Sequence, residues 1–337
     1  MSLYVYDPTA HDSLSKVRGI GRYMQILQQS LPPDTRITAD LSEIEDSDTL
    51  LNPYFDFIKT PLFFSHKTKK QIAVIHDIIR LRYPKHFPLG FKAKLFVKLN
   101  TIALRFYDSI ITDSEHSKNT LIDFLKISST KISVVYPVLS RVFLQSTKKD
   151  SNLRSSPLHQ PYCLYVGDIT WNKNLPTLAK AIKKTKLSCI CVGKAFLDRS
   201  NLDHPEKKSF KEFLDLVDGD AHFIFPGFVS DDELINYYRH ALCNVLVSYD
   251  EGFGFSYLEA AQCGTPSVLS DVSVFRETAQ ETALFGSPQE YEEIAKRITQ
   301  LAKDPDLRDT LGQRAHKRAK WFSHRKFKNS LEAVLNS

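Results

Sequence analysis

Residues 248–266 read Ser248-Tyr-Asp-Glu251-Gly-Phe-Gly-Phe-Ser-Tyr-Leu-Glu259-Ala-Ala-Gln-Cys-Gly-Thr-Pro266. The apolar run from Cys243 to Val247 leads into them and predicts a buried parallel strand. A polar tip, two glycines and a stretch of helical character from Tyr257 to Cys263 follow. Strand, glycine loop and helix together place backbone N–H groups and the positive end of a helix beside an anion. Glu251 and Glu259 stand eight residues apart on either side of that turn.

The same pattern repeats on the N-terminal side. Strands are predicted at Tyr162–Val166, Ser188–Val192, His222–Phe225, Cys243–Val247 and Pro266–Leu269, with helices between them. Gly167 ends the first of these, and Lys173 stands at the mouth of the following helix, Leu175 to Lys183, where its charge can meet a diphosphate; a surface lysine before a helix would look the same. Residues 1–145 form an earlier βα series, with strands at 3–6, 71–75, 108–112 and 131–136. Gly19-Ile-Gly21-Arg22-Tyr23 opens a helix running to about Leu31, either to let backbone approach a phosphate or to make a tight turn. His76-Asp77 ends a strand, where α/β folds keep their ligands. Ser114 caps a helix to Leu125, whereas residues 34–70 read as loop, solvated helix and at most one short strand. Residues 146–161 are polar and predict a linker, so the chain divides into domains at 1–145 and 162–321. The fold class is α/β: two doubly wound, Rossmann-like domains facing across a cleft.

With 42% apolar and 25% charged residues, the 337-residue chain has the composition of a soluble globular protein. Its N-terminus lacks the pattern of a secretory signal, and no run is long enough to span a bilayer. The expected location is cytoplasmic, at most peripheral on the inner face of the membrane. A net charge of +6 suits an anionic ligand or an acidic membrane surface and falls short of what nucleic-acid binding implies. The basic helix at 89–107 carries Lys92, Lys94, Lys98 and Arg105 among apolar residues, which fits either anionic lipid or an ordinary solvated face. The five cysteines lack zinc-ligand spacing and read as buried thiols. Asp231-Asp-Glu233 reads as the first turn of a helix capped by Ser230, so no metal is expected.

The stretch from Glu251 to Pro266 resembles the Glu-x7-Glu signature of retaining glycosyltransferases, family 4 (glycosyl transferases group 1), of the GT-B fold. Gly19 to Tyr23, His76-Asp77, Asp113-Ser-Glu-His-Ser117, Gly167 to Asn174 and Phe225 to Asp231 match the family in order and spacing over nearly the whole chain. The resemblance implies a nucleotide held by the C-terminal domain and an acceptor held by the N-terminal one. It implies that Glu259 binds the ribose of a donor nucleotide. It implies that Glu251 faces the donor sugar, with Gly252, Phe253 and Gly254 near its hydroxyls. Lys173 and Gly167 would serve the diphosphate, Gly19 and Gly21 would approach it from the first domain, and His76 would stand near the sugar's 6-position. Arg22 and Asp77 are the candidates on the acceptor side. The resemblance also has the last helix, about 322–335, packing back on the first domain.

Two departures stand out. Asp168 and Asn172 occupy places where the family often carries an arginine, leaving Arg18, Arg22 or Lys194 to supply that charge. Ser256-x-x-Glu259 is a capping-box pattern, which gives Glu259 an alternative structural role. The expected activity is hexosyl transfer with retention, without metal or cofactor, from GDP-mannose in first place and a UDP-sugar in second. The motifs look most like bacterial surface-polysaccharide mannosyltransferases, acting on a glycan or lipid-linked glycan. The alternatives are a catalytically silent GT-B scaffold and a nicotinamide dehydrogenase; the latter requires an acidic residue ending the second strand.

Overall fold

The computed structural model describes residues 2–7, 9–10, 19–145 and 156–337. Two compact units emerge, one of Met1–Ser140 with Phe322–Ser337 and the other of Arg141–Trp321.

Unit 1 runs β1 (Leu3–Tyr6), α1 (Gly19–Ser30), β2 (Arg36–Thr38), β3 (Thr49–Asn52), β4 (Lys70–Val74), α2 (Ile79–Arg82), α3 (Phe91–Ala103), β5 (Ser109–Thr112), α4 (Glu115–Leu125) and β6 (Ile132–Val134). Its parallel sheet has the order β2-β1-β3-β4-β5-β6. Two of these strands fall in the 34–70 segment, so the expectation of loop and at most one strand is corrected. β2 is a three-residue edge with Arg36 and Ile37 exposed, too short to show a period. β3 is fully buried with only two leucines. Asp48 anchors it, accepting from the backbone N–H groups of Ser2 (2.7 Å) and Glu45 (3.1 Å). Ser114 caps α4 as expected, its hydroxyl accepting from Ser117 N–H at 3.0 Å.

Unit 2 runs α5 (Arg141–Gln145), β7 (Tyr162–Val166), α6 (Leu175–Thr185), β8 (Ser188–Val192), α7 (Lys208–Val217), β9 (Phe223–Gly227), α8 (Asp231–His240), β10 (Cys243–Leu246), α9 (Phe255–Gln262), β11 (Ser267–Ser270), α10 (Ser273–Ala279), β12 (Leu284–Gly286), α11 (Tyr291–Lys303) and α12 (Pro305–Ala319). Its sheet is parallel throughout, in the order β12-β11-β10-β7-β8-β9. β7 and, past Ser188, β8 are apolar and largely buried, the composition of parallel strands covered on both faces. α6 buries Leu175, Leu178, Ala179 and Ile182, the i, i+3, i+4, i+7 stripe of a core-facing helix. Residues 141–145, read with the first domain, belong instead to unit 2, where Phe143 meets the Tyr238 ring edge-on at 6.4 Å. Of the expected linker, 146–155 lie outside the described residues, and 156–161 are irregular.

The last helix, α13 (His324–Asn336), belongs to unit 1. Phe327 packs against Tyr23 of α1 at 6.2 Å, and Lys70 donates to the terminal carbonyls of Val334 (2.6 Å) and Leu335 (3.1 Å). A cation on the last carbonyls of a helix also complements its dipole. All five cysteines are buried free thiols.

Candidate active site

In unit 2, connections from β7 run through β8 to β9 on one side and from β10 through β11 to β12 on the other. The boundary between β7 and β10 is therefore the topological switch point, where loops at the carboxyl ends diverge and leave a crevice. Lys173 follows β7 and Glu251 follows β10. Their side chains form a two-pronged ion pair, Lys173 Nζ lying 2.7 Å from each Glu251 carboxylate oxygen. Ser248 Oγ donates to the same carboxylate at 2.7 Å.

Three residues around that pair hold the two loops in register. Asn172 Nδ2 donates to the Asp250 carbonyl at 2.9 Å, and Tyr249 N–H donates back to the Asn172 carbonyl at 2.7 Å. Asn174, in the left-handed region at φ 55°, bonds the carbonyls of Val247 (2.9 Å) and Pro288 (2.7 Å). Trp171 stacks on Tyr249 with ring centres 4.9 Å apart. Asn172 thus has a positional reason for not being arginine: its amide is buried and bridges the loops. Asp168 accepts from Ile169 N–H at 2.7 Å, closing its own turn. Of the substitute cations, Lys194 is exposed at the end of β8, Arg22 is half-buried in α1, and Arg18 lies outside the described residues.

The glycines mark close approaches. A Cβ on Gly167 would stand 2.8 Å from the Tyr165 hydroxyl, and one on Gly193 would collide with the Gly167 carbonyl. Gly254 sits at φ 90°, where a Cβ would lie 2.7 Å from the Phe275 ring, so the loop from Glu251 into α9 requires glycine twice over. Gly252 is half-buried in that loop, and the Phe253 side chain is buried against Phe255 at 5.4 Å.

Gly254 is also the N-cap of α9, with no side-chain cap. The capping-box alternative for Glu259 therefore fails. Ser256 lies inside the first turn, and its hydroxyl donates to the Val166 carbonyl at 2.6 Å, tying α9 to the end of β7. Glu259 is buried and accepts the Tyr238 O–H at 2.9 Å. Burial first, then the Glu259 charge, push the Tyr238 pKa well up, so its hydroxyl remains a donor. The true capping box is on α8, where Ser230 and Glu233 bond each other's backbone N–H at 3.3 and 2.9 Å.

Unit 1 carries a second cluster at the ends of β4 and β5. His76 Nδ1 lies 2.7 Å from Asp113 Oδ2, and its Nε2 lies 3.2 Å from the Pro53 carbonyl. Both partners can accept, an arrangement that favours the doubly protonated imidazolium. Burial works against that charge, but the charge and hydrogen bond of Asp113, then Asp77 and the Pro53 carbonyl, raise the His76 pKa. The edge of the Tyr23 ring packs on the imidazole at 4.6 Å. Asp77 is exposed and accepts from Ile79 N–H at 3.0 Å, shaping the turn into α2. Gly19 and Gly21 lie in the first turn of α1. Asp113, Ser248 and Tyr238 carry no role in the sequence reading, although Asp113 opens one of the family motifs; their importance comes from partners 37, 3 and 21 residues away.

Two parallel six-stranded sheets, with the crevice of a nucleotide-binding fold at the switch point of unit 2, define the class. Anabaena Alr3699/HepE, solved in complex with UDP and glucose, aligns over all of both chains with a TM-score of 0.75 at 16% identity, and this chain shares the GT-B glycosyltransferase fold. The family model for glycosyl transferases group 1 matches residues 147–318, and the chain belongs to that family. Among relatives, O-antigen chain mannosyltransferase B of Escherichia coli is 25% identical over 278 residues, covering 81% of this chain and 72% of that protein. O-antigen chain mannosyltransferase RfbU of Salmonella typhimurium is 25% identical over 243 residues, covering 71% of this chain and 62% of that protein.

Proposed function

We propose that this chain transfers a hexose, with mannose the first choice, from a nucleotide-sugar to a glycan or lipid-linked glycan in surface-polysaccharide assembly. The observation that carries the reading is the meeting of Lys173, Glu251 and the Glu259 helix at the switch point of unit 2. In this reading Glu259 takes the ribose hydroxyls, Lys173 and the α9 N-terminus take the diphosphate, and Glu251 takes the sugar. The sugar C1–O bond to the phosphate breaks, and the departing diphosphate keeps the electron pair. The acceptor oxygen bonds C1 from the same face, and its proton passes to the leaving phosphate, so configuration is retained without a covalent adduct. No metal takes part, and turnover in EDTA is expected to be unchanged.

The mannosyltransferase relatives favour GDP-mannose; the UDP bound by HepE keeps UDP-sugars second. The dehydrogenase alternative is disfavoured because it has no use for the Glu251/Glu259 pair, and because Asp40, the acidic residue just past β2 in the unit of the Gly19–Gly21 turn, accepts from Ser42 N–H at 2.8 Å and caps its own turn. A thermal-shift panel of GDP-, UDP- and ADP-sugars tests the rest. GDP-mannose is expected to raise the Tm, and Glu259→Gln to weaken that response about tenfold in ligand concentration, the equivalent of one lost charged hydrogen bond. A flat panel would favour the silent scaffold, and an unaltered response in Glu259→Gln would remove the ribose role.

We also propose that α3 rests on anionic lipid. The helix spans 91–103, shorter than the 89–107 read from sequence, with a 3₁₀ turn at 104–106. It leaves Phe91 88%, Leu95 45% and Ile102 48% exposed among Lys92, Lys94 and Lys98, the mixture an interfacial helix uses. No helix among the described residues is long and apolar enough to cross a membrane. Flotation with phosphatidylglycerol vesicles should carry the protein, and Phe91→Ser/Leu95→Ser should release it; equal flotation of the variant would refute the assignment.

A further inference from the structure

Unit 1 holds a pocket that none of the motifs predicts. It encloses roughly 500 Å³ including its open mouth and lies beside the carboxyl ends of β1 and β3, lined by Tyr6, Asn52, Tyr54, Asp56, Lys59, Asn100 and Tyr107 among others. Most of that space is open to solvent; the part comparable with known sites is about 110 Å³, below the ~300–1,000 Å³ of drug-sized sites and on the scale of one small ring. In the order β2-β1-β3, the connections diverge between β1 and β3, so the pocket stands at the switch point of this second sheet.

The wall carries hydrogen-bonding capacity that the protein itself does not use. Tyr107 is 2% exposed, and its hydroxyl oxygen accepts from Asn52 Nδ2 at 3.1 Å. Its own proton meets no acceptor among the described residues. Burial, as the largest cause, raises its pKa, so that proton stays in place. Asn100 is 3% exposed, and its Nδ2 faces three backbone carbonyls, those of Phe57 (3.1 Å), Lys59 (2.7 Å) and Phe96 (3.1 Å). That arrangement fixes the amide orientation and leaves Oδ1 as an unspent acceptor. Tyr6 adds a hydroxyl with no partner among the described residues. The Tyr107 proton and the Asn100 Oδ1 thus leave one donor and one acceptor at the pocket wall for a polar ligand.

Charge and shape narrow the ligand. Asp56 and Lys59 approach at 4.0 Å and offset each other, and the carboxylate disfavours an anion. The Tyr54 ring supplies an apolar face with a polar tip. Interspersed donors and acceptors beside an aromatic face match groups that both donate and accept from a puckered apolar ring. We infer that this pocket binds a neutral pyranose ring through Tyr6, Tyr107 and Asn100. The inference rests on the transferase reading only for its corollary, that the ring is the end of the acceptor glycan.

Saturation-transfer NMR on the full chain, with methyl α-D-manno-, gluco- and galactopyranoside as probes, tests it. At least one glycoside should bind, and Tyr6→Phe/Tyr107→Phe should weaken it tenfold or more while binding of GDP and UDP stays as in the parent. Tyr6→Phe alone, at a half-buried hydroxyl, should weaken it about threefold and serves if the double variant does not fold. Absence of binding by all three glycosides, or equal binding by the folded variants, would overturn the site. Nucleotide binding without glycoside binding sinks the pocket alone; the reverse sinks the donor reading alone. Mass spectrometry after incubation with GDP-mannose separates the two sources of the sugar: a hexosylated glycoside marks the acceptor, and an unmodified bound one marks a separate sugar site.

Discussion

Lys173→Ala is expected to lower sugar transfer by about 100- to 1,000-fold in kcat, the usual consequence of removing one preorganised charge from a developing anion. The size follows from the scarcity of alternatives. Asn172 is committed to the Asp250 carbonyl and Asp168 to its own turn, so neither neighbour supplies positive charge. The substitution also strips Glu251 of a partner 2.7 Å away. Loss of that partner leaves a carboxylate only 12% exposed facing Ser248, which adds a stability cost of about 1–3 kcal/mol, below that of a fully buried pair. Single-turnover transfer measured beside thermal unfolding separates the two effects. The diagnostic result is the double variant Lys173→Ala/Glu251→Gln, which should recover most of the lost stability and none of the lost rate. A Lys173→Ala enzyme within fivefold of the parent would exclude the phosphate role.

The second large effect concerns the pair of His76 and Asp113. Asp113→Asn should destabilise unit 1 by about 1–3 kcal/mol at pH 6, because it removes the counter-charge from a histidine whose side chain is only 20% exposed. Asp113 Oδ1 is buried with no hydrogen-bond partner among the described residues, so the carboxylate in turn depends on His76. The folded pKa of His76 is raised above its unfolded value of about 6.5. Its contribution is therefore fully present below about pH 6.5 and is lost as pH rises through the folded pKa. Melting curves of parent and Asp113→Asn should lie far apart at pH 6 and converge toward pH 9. A separation constant across that range would mean that His76 does not change its charge between pH 6 and pH 9. Transfer should fall over the same interval if the cation acts on the sugar.

Much of unit 2 was legible because its signals are local. β7 and β8 begin and end where their apolar runs do, and α4 of unit 1 likewise starts at its serine cap. Residues 34–70 were illegible for the opposite reason. β3 owes its place in the sheet to β1 and β4 on either side and to Asp48 bonding Ser2, a contact 46 residues distant. The pocket was hidden in the same way, since Tyr6, Asn100 and Tyr107 share no motif and meet only through the sheet and α3.

What the chain's order of residues determined alone was the alternation of buried strands and helices, the glycine turns and the family signature around Glu251 and Glu259. These depend on period, sterics and short spacing, all of which operate within a few residues. Which carboxylate faces which cation was decided only by tertiary structure. Lys173 reaches Glu251 across 78 positions because β7 and β10 are neighbours at a switch point. Ser256 could have capped α9, yet Gly254 at φ 90° begins the helix first and sends that hydroxyl to Val166. Glu259 is thereby relieved of the cap and held by Tyr238 instead, because strand order, not sequence distance, sets which groups share a buried space.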